Sequence, residues 1–353
     1  MPILDFKNKK EVKKYKDFVD NHDSASIMQS LEWKTLKENW KQEVVYLKKG
    51  KEIIAGMTIL IRRIPVININ LMYAPKGPVC NIEDIETVKK LIEEARPLAD
   101  KYKACGLRMD PEVLRNEKIE TLYRKNGFKV RNEGFDRADM IQPRYNMILN
   151  IKDKTEEELL KQFAEKTRYN IRLSGRKNVT VRYSRDREDL KTFCELQRIT
   201  GERDGFMIRN DEYFEKMLEI YNKKIMRIYL AEHEGDILSA ALAINYGGKM
   251  WYMYGASSNE KRNLMPNFAM QWEMIKWGLE EKCNEYDFGG VFHLDKNDGL
   301  FKFKSGFCKV EGVSEFIGEI DYVFNKRRYF TFTKMYPLMI NTRTLIKKIV
   351  KGK

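Results

Sequence analysis

The sequence has 353 residues, 42% of them hydrophobic and 33% charged, so it is long enough for two packed domains and too apolar for a disordered chain. Lysine and arginine number 66 against 52 acidic residues, and the net charge of +14 favours polyanionic partners: nucleic acid, an anionic membrane or a phosphorylated substrate. No apolar run approaches the roughly 20 residues that a membrane-spanning helix needs, and we expect no secretion signal at the N-terminus.

Two stretches of the chain predict the same series of elements. The first contains a strand pair around a glycine turn, a third strand, a helix and a short strand, at residues 44–47, 53–62, 73–75, 82–102 and 106–110. The second contains the same series at residues 226–231, 237–246, 254–256, 266–282 and 286–289. Both then close on similar phrases, LYRKNGFK (122–129) and FKFKSGFC (301–308), in which the glycine is typical of a helix C-cap. We interpret the repeat as a duplicated α/β unit.

This element order resembles the GNAT acyltransferase fold. It implies an α/β (α+β) protein of tandem GNAT-like domains, each a mixed, mostly antiparallel sheet that is flanked by helices and splays at its centre. We place the first domain at 1–149, completed by 317–353, and the second at 150–316. A GNAT protein binds the pyrophosphate of acyl-CoA through a glycine-rich loop at a helix N-terminus, but residues 259–266 contain no glycine. We therefore expect a donor other than acyl-CoA.

Five phrases in order carry a closer resemblance: QSLEWK (29–34), YMYGAS (252–257), MPN with QWE (265–273), YDFGG (286–290) and GLFKFKSGF (299–307). Together they resemble the Fem peptidyltransferases (FemABX), which build peptidoglycan cross-bridges for the bacterial cell wall. The resemblance implies an aminoacyltransferase that takes aminoacyl-tRNA as donor and a UDP-linked or lipid-linked muropeptide precursor as acceptor. We expect a monomer. No sustained heptad repeat is visible, so the chain is similar to the short members that lack a coiled-coil arm.

The family's reaction joins an amine to an ester carbonyl, which requires stabilisation of a negative oxygen. The resemblance places Phe303 and Lys304 at the reacting ester, with Lys304 stabilising that charge. The alternatives are a core aromatic and a solvated helix lysine beside a glycine cap. Asp110 ends a predicted strand before Pro111 and is a candidate general base, or else a helix N-cap or turn residue. The same two interpretations apply to Asp287.

Acceptor recognition requires cations for a diphosphate and flat or hydroxyl groups for sugar and base. The resemblance assigns this task to Lys34, on the helix that contains Trp33, and to Arg209, Tyr213 and Tyr254. Arg209 and Tyr213 would share one face if their segment is helical. The alternatives are a surface lysine, an ion pair from Arg209 to Asp211 or Glu212, and tyrosines that pack on the sheet.

Cations are concentrated in two stretches. Residues 161–187 contain many lysines and arginines against Glu165 and Asp186. We predict that this stretch binds tRNA phosphates through Arg168, Arg172, Arg176 and Lys177, the alternative being a solvated helix face. Residues 343–353 have cations interleaved with apolar residues. They predict either an amphipathic helix on anionic lipid at the inner membrane surface or a helix packed on the first domain.

Cysteine and histidine usage bears on cofactors and location. The five cysteines are scattered and the three histidines lie far apart, so we expect reduced cytoplasmic thiols, no zinc site, no histidine-based triad and no cofactor. Two rival functions stay open. One is an aminoacyl-tRNA transferase acting on a protein N-terminus or a lipid, and the other is a non-catalytic RNA-binding protein on a GNAT scaffold.

Overall fold

A computed structural model describes residues 3–65, 67–132, 140–221 and 225–335. The chain divides into two compact units, one formed by Met1–Phe135 with Phe316–Lys353 and the other by Asp136–Glu315. The boundary that we predicted after residue 149 lies too late in the chain. The strand Tyr145–Asn150 is antiparallel to the strand Glu285–Val291, and this pairing places it in the second unit.

The bounds of the elements are as follows. The helices are α1 Lys9–Asp20, α2 Ile85–Lys101, α3 Glu117–Lys125, α4 Glu156–Gln162, α5 Glu165–Arg176, α6 Arg187–Asp204, α7 Asp211–Tyr221, α8 Pro266–Glu280, α9 Gly299–Phe307 and α10 Lys326–Phe330. The strands are β1 Lys41–Lys49, β2 Glu52–Ile64, β3 Ile69–Ala74, β4 Ala104–Met109, β5 Lys129–Arg131, β6 Tyr145–Asn150, β7 Thr180–Ser184, β8 Met226–His233, β9 Asp236–Tyr246, β10 Lys249–Ser257, β11 Glu285–Val291, β12 Ser314–Glu315 and β13 Glu319–Val323.

The sheet of the first unit has the strand order β1-β2-β3-β4-β13-β5 among the described residues. Its strands are antiparallel except β3 and β4, which run parallel because α2 connects them. Asp84 caps α2 by accepting a hydrogen bond from the Thr87 amide, and the apolar face of α2 packs on the sheet through Val88, Leu91, Ile92 and Ala95. The C-terminal segment returns to this sheet as β13.

The sheet of the second unit has the strand order β12-β6-β11-β10-β9-β8-β7 within the described part of the chain. Its parallel pair is β10 and β11, joined by α8, as β3 and β4 are joined by α2. The two strands pair only from Lys249–Trp251 to Glu285–Asp287, although β10 continues to Ser257 and β11 to Val291. The mixed, mostly antiparallel sheets with flanking helices are confirmed, and the central strands of this sheet part beyond Trp251.

The two predicted glycine caps have different outcomes. Gly127 follows α3 with φ of +84°, a conformation that glycine adopts without strain, so the first cap is confirmed. The second is wrong, because α9 continues through Gly306 to Phe307. Gly306 is therefore a residue within α9 and not its cap.

Two expectations about membranes concern this fold. In the part of the chain that the structure describes, every helix is too short or too polar to cross a bilayer. The basic segment 343–353, which we proposed as a lipid contact, lies outside the described residues.

Candidate active site

Lys304 lies where β10 and β11 part. Its side chain projects from α9 and is buried, and its Nζ donates a hydrogen bond of 2.9 Å to the Gly290 carbonyl oxygen on β11. A Cβ atom added to Gly289 would lie 3.8 Å from Lys304 Nζ and 4.0 Å from the carbonyl oxygen of Tyr252 on β10. The ammonium group thus contacts β11, and Gly289 lies close both to it and to the β10 backbone. The alternative of a solvated helix lysine is wrong.

The end of β11 is shaped to receive this lysine. The register of β11 against β6 shifts between Asp287 and Gly290, and Gly289 has φ of +76°. Asp287 accepts a hydrogen bond of 2.7 Å from the Gly289 amide through Oδ1, which stabilises the turn. Asp287 therefore acts as a turn residue here, and the turn leaves the Gly290 carbonyl directed at Lys304.

Burial changes the acidity of Lys304. It lowers the pKa of the ammonium group to about 8, and the nearby Asp287 carboxylate opposes that shift. The group is therefore a cation at neutral pH inside a site of low polarity. A cation in such a setting stabilises negative charge more strongly than one in water does.

Phe303 belongs to an aromatic cluster that fixes α9. Its ring is half-buried, with centroids 4.9 Å from Phe268 on α8 and 5.5 Å from Phe307. Phe303 is thus part of the packing, and its partly exposed ring lies one residue from Lys304.

Gly306 permits a close approach of two helices. The Ala164 amide, at the start of α5, donates a hydrogen bond of 2.8 Å to the Gly306 carbonyl. A Cβ at position 306 would lie 2.2 Å from Oγ1 of Thr167 on α5, which is a severe overlap. Only glycine therefore lets α9 lie at this distance from α5.

We expect Gly306→Ala to lower the free energy of unfolding by about 1–3 kcal/mol, the usual effect of overpacking in a dense core. The short, β-branched Thr167 side chain has little freedom to move away. Denaturant unfolding measures the change. Gly299→Ala is the matched control, because a Cβ there meets nothing within 4 Å. Adding Thr167→Ala should restore part of the loss, and a Gly306→Ala protein as stable as wild type would contradict this account.

Three of the predicted acceptor-binding residues lie together in the second unit. The Tyr254 hydroxyl on β10 donates a hydrogen bond of 3.1 Å to the Tyr213 hydroxyl on α7. The Arg209 guanidinium lies 5.3 Å from the centre of the Tyr213 ring. The shared helical face that we predicted is wrong, because α7 begins at Asp211, after Arg209. Arg209 reaches the ring from the preceding loop, and the Arg209 side chain is exposed whereas Tyr213 is buried.

Asp110 is placed in the first unit as a buried acceptor, not as a helix N-cap. Its carboxylate accepts hydrogen bonds from the Tyr73 hydroxyl at 2.8 Å and from the Lys76 amide at 2.6 Å. Burial raises the pKa of Asp110 to about 7, and the Lys76 ammonium opposes that shift. An acid with this pKa exchanges a proton near neutral pH, as general acid–base catalysis requires.

Lys34 also belongs to the first unit. It is half-buried in a short 3-10 helix, Leu31–Leu36, next to the buried Trp33, as its predicted placement on a helix with Trp33 requires. All five cysteines are free and buried. Over the described ranges, the structure contains no cluster of three or more His, Cys, Asp or Glu residues able to hold a metal ion.

The basic stretch separates into paired and exposed cations. Lys161, Arg182 and Arg187 form ion pairs with Glu157, Asp189 and Glu219, respectively. Arg168 donates hydrogen bonds to the Lys161 and Phe163 carbonyl oxygens, which satisfies the end of α4. The cations that remain exposed on or just after α5 are Lys166, Arg172, Arg176 and Lys177.

The sequence matches a protein-family model over most of its length. The FemAB family model matches residues 11–236 and 228–336, which is most of the chain. The chain belongs to the FemAB family.

Relatives and solved structures agree with this assignment. The chain is 34% identical over 339 residues to the UDP-N-acetylmuramoylpentapeptide-lysine N(6)-alanyltransferase of Weissella viridescens, covering 95% of this chain and 100% of that protein. It is 30% identical to the lipid II:glycine glycyltransferase of Staphylococcus haemolyticus, covering 95% and 97%. The crystal structure of FemX matches with a TM-score of 0.83 at 28% identity, covering 94% of this chain and 100% of that one. A tandem GNAT protein of clavulanic acid biosynthesis shares the fold, with a TM-score of 0.51 at 10% identity.

In this FemAB protein, two polar residues of α6 that no sequence pattern singled out hold the β10 strand edge. Beyond Trp251, where β11 no longer pairs with β10, side chains of α6 bond to the β10 backbone. Gln197 donates to the Gly255 carbonyl at 2.9 Å, and the Thr200 hydroxyl accepts from the Ser257 amide at 2.9 Å. Polar residues on a helix have no spacing that predicts such contacts. They satisfy a strand edge that would otherwise be open.

Proposed function

We propose that this FemAB protein transfers an aminoacyl group from aminoacyl-tRNA to the side-chain amine of a peptidoglycan stem peptide. The observation that carries the proposal is the buried Lys304 ammonium at the point where β10 and β11 part, in a chain that is 34% identical to a curated alanyltransferase over its whole length. The relatives act by name on a UDP-linked and on a lipid-linked precursor. Either could be the acceptor of this chain, and the product would be the start of a cross-bridge.

The proposed aminoacyl transfer is a direct attack of an amine on an ester and requires no cofactor. The acceptor amine attacks the ester carbonyl carbon, a C–N bond forms, and negative charge collects on the carbonyl oxygen. Collapse of that intermediate breaks the C–O bond to the tRNA ribose, whose oxygen takes up one proton in exchange for the proton that the amine loses. Lys304 supplies the positive charge beside the oxygen while charge develops, and Phe303 precedes it on α9 and lies next to the reacting ester.

A base must take the proton that the amine loses. We propose Asp110 for this step, because its pKa of about 7 leaves much of it ionised at neutral pH. Its hydrogen bonds to Tyr73 and Lys76 fix the orientation of the carboxylate.

The donor's RNA would lie along α5. Tyr169, Arg172 and Arg176 lie on the exposed side of this helix, and the Arg176 guanidinium lies 5.7 Å from the centre of the Tyr169 ring. Exposed cations bind phosphates, and an exposed aromatic ring is a platform for an unpaired base. Because α5 contacts α9 at Gly306, RNA on α5 would be one helix away from Lys304.

The hydrogen bonds from α6 to the β10 backbone disfavour acyl-CoA as the donor. Gln197 and Thr200 already occupy the backbone groups of Gly255 and Ser257, at the edge that a strand-like acyl carrier would pair with. Residues 259–266 contain no glycine for a pyrophosphate loop. Both features support a donor that approaches from another surface.

For the acceptor, we propose that Arg209 binds the diphosphate while Tyr213 and Tyr254 contact the sugar. Lys34 remains a separate candidate for binding an anionic group of the acceptor. Replacing Arg209 by methionine should raise the acceptor KM about 10- to 100-fold, the loss of one charge-assisted contact, with a smaller effect on kcat. Steady-state kinetics measure this. Arg187→Met is the matched control, because Arg187 is exposed and paired with Glu219. An unchanged KM would remove Arg209 from acceptor binding.

A direct assay tests the function. The protein is incubated with a mixed pool of charged tRNAs and either the UDP-linked or the lipid-linked precursor, and the muropeptide is analysed by mass spectrometry. We expect a gain of one amino-acid residue, abolished by prior ribonuclease treatment of the donor. Absence of a gain with both precursors would contradict the proposal. Parallel reactions contain a protein with a free N-terminus or a phospholipid as acceptor. Transfer to one of these would favour the rival function, an aminoacyl-tRNA transferase for proteins or lipids.

A further inference from the structure

The loop between α6 and α7 exposes three consecutive apolar side chains. Phe206 is 39% exposed, Met207 99% and Ile208 36%. A run of exposed apolar residues is unfavourable in water and usually marks a contact surface. Here it makes up half of the short connection from Gly205 to the start of α7 at Asp211.

This loop is held in place by α6. Gly205 ends α6 with φ of +71°, and the amides of Gly205 and Phe206 both donate to the Gly201 carbonyl, at 2.9 and 3.2 Å. A Cβ at Gly201 would lie 2.6 Å from Cγ2 of Ile208, so that side chain packs directly against the helix backbone. The exposure of Phe206 and Met207 is therefore a fixed feature of the fold.

The residue that follows the apolar run is Arg209, the cation over the Tyr213 ring. We infer that Phe206, Met207 and Ile208 insert into the surface of a lipid bilayer, and that the acceptor of this chain is the lipid-linked precursor. In such a precursor the diphosphate is joined directly to a hydrocarbon chain in the membrane. A cation adjacent to an inserted apolar segment matches that junction, whereas a nucleotide would place a polar base and ribose there. The inference rests on the proposed function.

The charges around the loop define the kind of contact. Arg198 is paired with Asp211, and Arg203 with Asp204. These pairs leave little net positive charge beside the apolar run, unlike the exposed face of α5. We therefore expect attachment driven by burial of apolar surface, which needs no anionic lipid and survives high salt.

Vesicle flotation tests the surface contact. The wild-type chain should float with phosphatidylcholine vesicles at both low and high salt, and Met207→Asp should weaken binding about tenfold or more, because a charge replaces an inserted apolar side chain. Val310→Asp is the matched control: Val310 is 66% exposed in the same unit but lies outside the loop. Binding only to anionic vesicles, or equal effects of the two substitutions, would overturn the inference. So would loop-dependent self-association without vesicle binding, seen by light scattering.

Kinetics with the two acceptors test the substrate choice. We expect Met207→Asp to raise the KM for lipid-linked precursor in vesicles about tenfold and to leave the KM for water-soluble UDP-linked precursor unchanged. Equal sensitivity, or a wild-type preference for the UDP-linked form, would contradict the choice of acceptor. If wild type uses neither precursor, the proposed function fails, while flotation still decides whether the loop binds lipid.

Discussion

Replacing Lys304 by methionine should lower the rate of aminoacyl transfer by about 100- to 1,000-fold, the effect of removing one preorganised group that stabilises an oxyanion. Methionine keeps an unbranched side chain of similar length, so the space beside Gly289 and Gly290 on β11 stays filled. Single-turnover assays with charged tRNA measure the chemical step. The loss should appear in the rate constant, with the affinity for acceptor nearly unchanged.

The pH dependence separates the charge of Lys304 from its shape. Because burial lowers its pKa to about 8, the cation is present below that pH and is lost as pH rises through it, so wild-type activity should fall on the alkaline side. Lys304→Arg should keep the charge at high pH and weaken that alkaline fall. Thermal unfolding of the methionine variant checks that the fold is retained. A methionine variant with a wild-type rate would exclude Lys304 from the chemistry.

The order of elements was predictable because it depends on local signals. Glycine turns, alternating apolar residues and apolar residues spaced along one helix face indicate α2 with its flanking strands, and again α8 with its strands. Their bounds moved by a few residues only: the helix predicted at 82–102 is Ile85–Lys101. The domain boundary was less predictable, because β6 is assigned by its partner β11, which lies far along the chain.

The candidate site depended on contacts that the sequence does not encode locally. A glycine before an aromatic residue suits a helix cap, as at Gly127, and equally suits a close helix contact, as at Gly306. A lysine in a chain this basic has no local mark of burial, yet Lys304 is buried. Arg209 reaches Tyr213 from outside the helix. These three features follow from tertiary packing.

The largest effect on stability should come from Arg108, at the centre of the first sheet. We expect Arg108→Met to lower the free energy of unfolding by about 3–5 kcal/mol, the usual result of removing one partner from a buried ion pair. Arg108 on β4 lies opposite Asp321 on β13 and contacts its two carboxylate oxygens at 2.7 and 2.8 Å. It also pairs with Glu319 at 2.9 Å. Without Arg108, these two buried carboxylates would keep the partly exposed Arg131 as a neighbouring cation but lose their buried one.

The loss should be local to the returning segment. Strand β13 is inserted between β4 and β5, so weakening its ion pairs should raise amide hydrogen exchange in β13 before the rest of the sheet opens. Denaturant unfolding and hydrogen exchange measure the two effects. Arg63→Met, an exposed arginine of β2, should change stability by less than about 0.5 kcal/mol. Adding Asp321→Asn and Glu319→Gln to Arg108→Met should recover part of the stability, because no buried charge is then left uncompensated. If the single substitution proves as mild as the Arg63 control, these ion pairs do not hold the C-terminal segment in the first unit, and apolar packing of Ile320 between the strands would have to do so.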